Sequence, residues 1–99
     1  MTSVSLVLSF RWFDMIASGI KREEYREIKP RWDKQIWEKK PDEVVFYRGY
    51  EKADIRKEMK VEILDISKGF PKPEWSDTKL FIPGREVYVL KLGQILSAN

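Results

Sequence analysis

Small polar and aliphatic residues alternate over residues 3–9 (Ser-Val-Ser-Leu-Val-Leu-Ser), placing Val4, Leu6 and Leu8 on one side, the pattern of a half-buried strand. Phe13, Ile16, Ala17 and Ile20 then recur at helical spacing. Ser9 is a residue type that caps helix starts, and Gly19 stands where a left-handed residue ends a helix, so a short helix is expected over 10–18. Residues 21–26 (Lys-Arg-Glu-Glu-Tyr-Arg) are almost all charged and, coming after the glycine stop, predict a restart as a strand. Lys29-Pro30 interrupts it, and Trp32, Ile36 and Trp37 predict a second short helix over 31–39. After a turn at Pro41-Asp42, residues 43–50 read as a strand with Val44 and Phe46 inward and a polar, aromatic end. Residues 51–58 form a charged loop or ragged helical turn. Residues 59–67 form another strand, in which adjacent Ile63-Leu64 breaks alternation as a bulge does. Residues 69–83, with three prolines and Trp75, make a long irregular connection of the kind compact domains keep for binding. Residues 87–92 are the last strand, with 93–96 as a possible extension. About five to six strands with two or three short helices predict an α+β fold whose mixed sheet curls into a small β-barrel.

Composition narrows the chemistry more than the fold. The 99 residues suit a single domain over 1–99. Nineteen Lys and Arg against sixteen Asp and Glu leave +3, a mildly basic balance compatible with an anionic partner but not demanding one. The chain has no cysteine and no histidine, which excludes disulfides, thiol nucleophiles, imidazole bases, Ser-His-Asp triads and Cys- or His-ligated metals. Neither a metal nor a cofactor is therefore expected, and any catalysis must use Lys, Asp/Glu, Tyr, Ser/Thr or backbone amides. The apolar run at residues 2–10 is too short to span a bilayer and lacks a basic leader, so a cytoplasmic protein with no membrane partner is expected.

The segment Gly19-Ile20-Lys21-Arg22-Glu23-Glu24-Tyr25-Arg26 carries the candidate chemistry. A Lys beside a carboxylate can be held and tuned, and an Arg next to it can fork a phosphate or a base edge. Strand parity puts Glu24 and Arg26 on one face; Lys21 joins them only if the strand starts irregularly after Gly19. Arg48 and Tyr50 continue the inward face of Val44 and Phe46, and Glu24 is the obvious partner for Arg48, as a structural bridge or beside a ligand. Among the four tryptophans, Trp12 and Trp37 read as packing residues. Trp32 and Trp75, in less regular segments, are the candidates for stacking on a base. Residues 21–40 hold eight basic and five acidic side chains, a weakly basic rim or a solvated mixed-charge surface.

Gly19, Lys21, Glu24 and Arg26 fit a Gly-x-Lys-x-x-Glu-x-Arg signature, and the chain resembles the ASCH domain family, small PUA-like β-barrels. Val7-Leu8-Ser9 and residues 12–16 resemble the strand and helix leading into that signature. Arg48-Gly49-Tyr50, Pro73-Glu74-Trp75 and residues 88–92 resemble later parts of small bacterial and phage members. The resemblance implies a cleft lined by Lys21, Glu24, Arg26, Arg48 and Tyr50, flanked by Trp32 and Trp75, that takes single-stranded RNA, a nucleotide or a modified nucleoside. It also implies an alternative, a small hydrolase of amidohydrolase or ribonuclease type acting on RNA or a modified nucleoside, with Lys21 and Glu24 as the catalytic pair. In the amidohydrolase branch the Lys activates a Thr three residues later. Here that position is Glu24, so the nucleophile is missing and binding is expected ahead of catalysis.

Overall fold

A computed structural model describes residues 2–49, 57–77 and 83–98. Strand β1 (Ser3–Leu8) buries Val4, Leu6 and Leu8, as its alternation requires. Helix α1 (Phe10–Ala17) follows at once, pressing Phe13 and Ile16 into the core. Ser9 is its N-cap in extended geometry, yet the Ser9 side chain makes no capping bond; its carbonyl accepts the first helical hydrogen bond, from the Phe13 N–H. At the other end Gly19 adopts φ +82. Its N–H donates to the Ile16 carbonyl and the Ile20 N–H to that of Met15, the paired bonds of a Schellman stop. The Lys21 N–H also bonds the Met15 carbonyl, so the chain leaves the helix on a fixed path.

Strand β2 (Glu23–Glu27) begins two residues later than the charge pattern suggested, because Lys21 and Arg22 are spent on that exit. Pro30 opens helix α2 (Pro30–Trp32), which widens without a break into π-helical turns over Asp33–Glu38. The wider winding lets Trp37 stack on Tyr88, ring centroids 5.6 Å apart, while the Tyr88 hydroxyl donates to Asp33. Strands β3 (Glu43–Arg48), β4 (Glu58–Gly69) and β5 (Val87–Ala98) complete the sheet. The bulge expected at Ile63-Leu64 is present, with register shifts on both sides of Ile63, and β5 runs through the proposed extension to Ala98. Tyr50 and the connection over 51–56 lie outside the described residues.

The sheet order is β1-β3-β4-β5-β2, with β1 parallel to β3 and the other pairs antiparallel. The α+β fold expected is present, its five-stranded sheet curled into a half-barrel: β1 and β2 are edge strands and are not paired with each other in the described sheet. Fifteen buried residues, among them Leu6, Phe46, Ile36 and Leu90, fill the concave side beneath α1 and the second helix. A smaller cluster of Tyr25, Val87 and Val89 lies on the opposite face, covered by Trp75. Trp75 ends a 3₁₀ turn (Pro73–Trp75) in the irregular connection, which thus acts as a strap over the outside of β2 and β5. Among the described residues no helix is long and apolar enough to cross a membrane.

Candidate functional site

The seam between the two edge strands is where the polar residues gather. In β1 the Thr2 and Leu8 carbonyls accept from the β3 side, so the alternate carbonyl of Val7 faces the seam. Across it, β2 puts Glu24 and Arg26 on the concave face, opposite Leu90 and Tyr88 of β5, where every neighbouring strand carries aliphatic or aromatic side chains. The Arg26 Nη2 donates to the Val7 carbonyl at 3.0 Å and to Glu24 Oε2 at 2.9 Å. Arg26 thus bridges the two edges through one nitrogen. Its Nε is buried and has no hydrogen-bond partner among the described residues.

Lys21 completes the cluster. The irregular exit after Gly19 is what the sequence required for it to join Glu24 and Arg26, and the Schellman geometry provides it. The lysine is 1% exposed; its ammonium lies 3.2 Å from Glu24 Oε1 and donates to the Trp75 carbonyl at 2.6 Å. It also sits 5.1 Å from the Trp12 ring centre and 4.9 Å from that of Tyr25. The ammonium therefore ties the concave face of β2 to the strap on its outside. Burial pushes Lys21 below the usual lysine range, and the neighbouring Glu24 works against that shift. Glu24 itself has a cation on each oxygen but keeps a lone pair on each, so it can still accept from a ligand N–H.

Tyr25 fixes the strap at a second point. Its hydroxyl donates to Glu23 Oε1 at 2.6 Å and accepts from the Lys72 N–H at 3.2 Å. Burial, reinforced by the bond to Glu23, holds the phenol protonated well above its ordinary value. Ser76 closes the turn by donating to the Lys72 carbonyl at 2.9 Å.

These groups floor a cleft of about 500 Å³ walled by Trp12, Tyr25, Trp32 and Trp75, large enough for one planar heterocycle with its substituents. Of the expected site residues, Glu24, Arg26, Trp32 and Trp75 line it and Lys21 lies directly behind Glu24. Trp32 serves both purposes, being part of the core yet presenting a face to the cleft. Arg48 corrects the sequence reading. Its guanidinium forks Asp14 of α1 at 2.9 and 3.0 Å and lies 4.2 Å from the Phe10 ring, while the arginine that reaches Glu24 is Arg26. Tyr50 lies outside the described residues.

Sequence reasoning assigned Trp12 to packing and left Tyr25 without a role. Trp12 sits one position before the buried Phe13, at the border of the α1 apolar stripe, and that flanking position was the only available signal for a half-buried wall residue. Tyr25 alternates with Glu24 and Arg26, so its place on the far face was legible, but the strap it holds was not. Among the described residues no group of three or more acidic side chains is arranged to hold a metal ion. Comparison with known protein families, with curated proteins and with solved structures returned no match to the chain.

Proposed function

We propose that this chain is a PUA-like, ASCH-type module that binds RNA or a nucleotide-sized ligand in the seam cleft. The observation carrying this reading is that Glu24 and Arg26, with Lys21 paired to Glu24, meet at a cavity with four aromatic walls. A guanidinium lining the cleft beside a carboxylate with spare lone pairs matches the mixed donor and acceptor edge of a nucleobase. The tryptophan walls match its faces; stacking of this kind contributes roughly 1–3 kcal/mol per base. Three of the four signature residues, Lys21, Glu24 and Arg26, are joined in one ion-paired cluster.

Binding ranks ahead of hydrolysis on electrostatic grounds. Glu24 has a cation on each oxygen and the Lys21 ammonium already donates to a carbonyl and a carboxylate, so both groups are committed to holding the floor together. The test is titration with short RNA and with natural and acylated nucleosides, following tryptophan emission. Quenching that saturates, and that is lost in Arg26→Gln, is expected. Unchanged emission with every nucleic-acid ligand would overturn the proposal. Incubation of the wild type and Lys21→Ala with RNA and acylated cytidine separates the hydrolase alternative, which requires turnover by the wild type alone.

A further inference from the structure

The charges around the cleft fall into two layers. Glu24, Glu27 and Asp77 line it together with Arg26 and Lys29, and Lys21 stands behind Glu24, so acidic and basic groups balance. The floor therefore offers no net attraction for a phosphate. Outside it, three of the tryptophan walls each carry a further exposed cation against the ring: Arg11 at 4.5 Å from the Trp12 centre, Arg31 at 4.7 Å from Trp32 and Lys72 at 4.6 Å from Trp75. None of the three forms an ion pair with a carboxylate among the described residues. They come from α1, α2 and the strap, three separate elements, yet each is fixed to a wall of the same cavity.

We infer that the site is built for a base within a phosphate-bearing single strand, with Arg11, Arg31 and Lys72 receiving the flanking phosphates. This rests on the reading of the cleft as a base-binding site and adds what the ligand must carry. A free nucleoside would use the neutral floor alone. A strand whose base enters the cleft carries its flanking phosphates outside the floor, where these three exposed cations have no carboxylate partner among the described residues. Contact with a tryptophan ring holds each long side chain against a wall residue of the cleft and lowers the entropy lost when it meets a phosphate. Single-stranded RNA and DNA share this chemistry.

The inference separates base reading from phosphate holding, and the two respond differently to salt. Each phosphate neutralised on a single strand contributes about 0.7 to the slope of log affinity against log salt, so three contacts give a slope near 2 and a loss of about a hundredfold between 50 and 500 mM. The experiment is tryptophan-quenching titration with the four nucleosides, their 5′-monophosphates, and random-sequence RNA and DNA hexamers at both salt concentrations. Hexamers are expected to bind tightest with the steep slope, and nucleosides weakly with a flat one. Arg11→Gln, Arg31→Gln and Lys72→Gln should each lower the hexamer slope by about 0.7 and leave the ranking of the nucleosides unchanged. All three side chains are exposed, and far-UV circular dichroism checks that the variants fold. A preference between the RNA and DNA hexamers identifies the natural source. Hexamers that bind no better than nucleosides, with a flat slope, overturn the rim and leave the cleft reading intact; no quenching by any ligand overturns both.

Discussion

Glu24→Gln tests the energetics of the floor. In the wild type two cations share one carboxylate, and the more buried of them, Lys21, is 1% exposed. Glutamine keeps the shape and removes the charge, leaving the Lys21 ammonium without its counter-ion in a site walled by Trp12 and Tyr25. Breaking a buried pair in this way costs about 3–5 kcal/mol, a large part of the roughly 5–15 kcal/mol that stabilises a small domain. Lys21→Met is milder. It gives up charged hydrogen bonds worth about 1.5–3 kcal/mol, but Glu24 keeps Arg26, whose side chain is 22% exposed and already partly solvated. Urea unfolding followed by tryptophan emission should therefore rank Glu24→Gln below Lys21→Met. The double variant should cost at least about 1 kcal/mol less than the sum of the two single changes. The sign of the pH dependence follows as well. Lys21 titrates below its unfolded value, so the unfolded chain binds its proton more readily and stability rises as pH climbs toward 10.5. In Glu24→Gln the shift is larger, and its deficit should shrink as pH approaches 10. A Glu24→Gln cost under about 1 kcal/mol, or strict additivity in the double variant, would refute the buried-cluster argument.

Tyr25 and Tyr88 are both held protonated above their ordinary value, chiefly by burial, so their contribution to stability is complete below about pH 10 and is lost as pH rises beyond it. Absorbance at 295 nm should show these two phenols titrating only as the fold is lost, and Tyr25→Phe should flatten the alkaline decline. Gly19→Ala should cost about 1 kcal/mol, because φ +82 is strained for any side chain while the space around it is open. Gly49→Ala should cost more by urea unfolding, since φ +72 adds the same strain and the new methyl meets the Phe10 ring. Arg48→Ala should lower stability by less than about 1 kcal/mol, its pair with Asp14 being exposed, and leave ligand quenching unchanged, which separates it from the cleft residues.

How far the sequence reached depends on the range of each signal. The alternation in β1, the Gly19 stop, the bulge at Ile63 and the closing strand are local patterns, and they appear close to where the spacing puts them. The strand restart after Gly19 and the requirement that Lys21 approach by an irregular path were also legible, because strand parity alone imposes them. Arg48 failed for the opposite reason. Its inward parity was a one-strand argument, but at the last position of β3 the side chain meets α1 and forks Asp14 there. The π-helical winding left no mark in the spacing of Trp32, Ile36 and Trp37, since it is fixed by the fit of Trp37 and Asp33 against Tyr88, more than fifty residues away. The open seam was likewise invisible, because edge pairing is a property of the assembled sheet.

The bond from Arg26 to the Val7 carbonyl also bears on solubility. Strand β1 reads Ser-Val-Ser-Leu-Val-Leu, with no charge and no proline, and its seam side pairs with no strand among the described residues, an edge of the sort that recruits strands from other chains. The guanidinium occupies one of its acceptors and puts a positive charge where an intruding strand would have to lie. Arg26→Ala should consequently increase light scattering at high concentration even where ligand is absent, and unchanged scattering would remove this second role. Under the proposed function the same side chain answers to two selective pressures, recognition and the avoidance of aggregation, and a lysine that retained the charge but lost the fork would meet only the second.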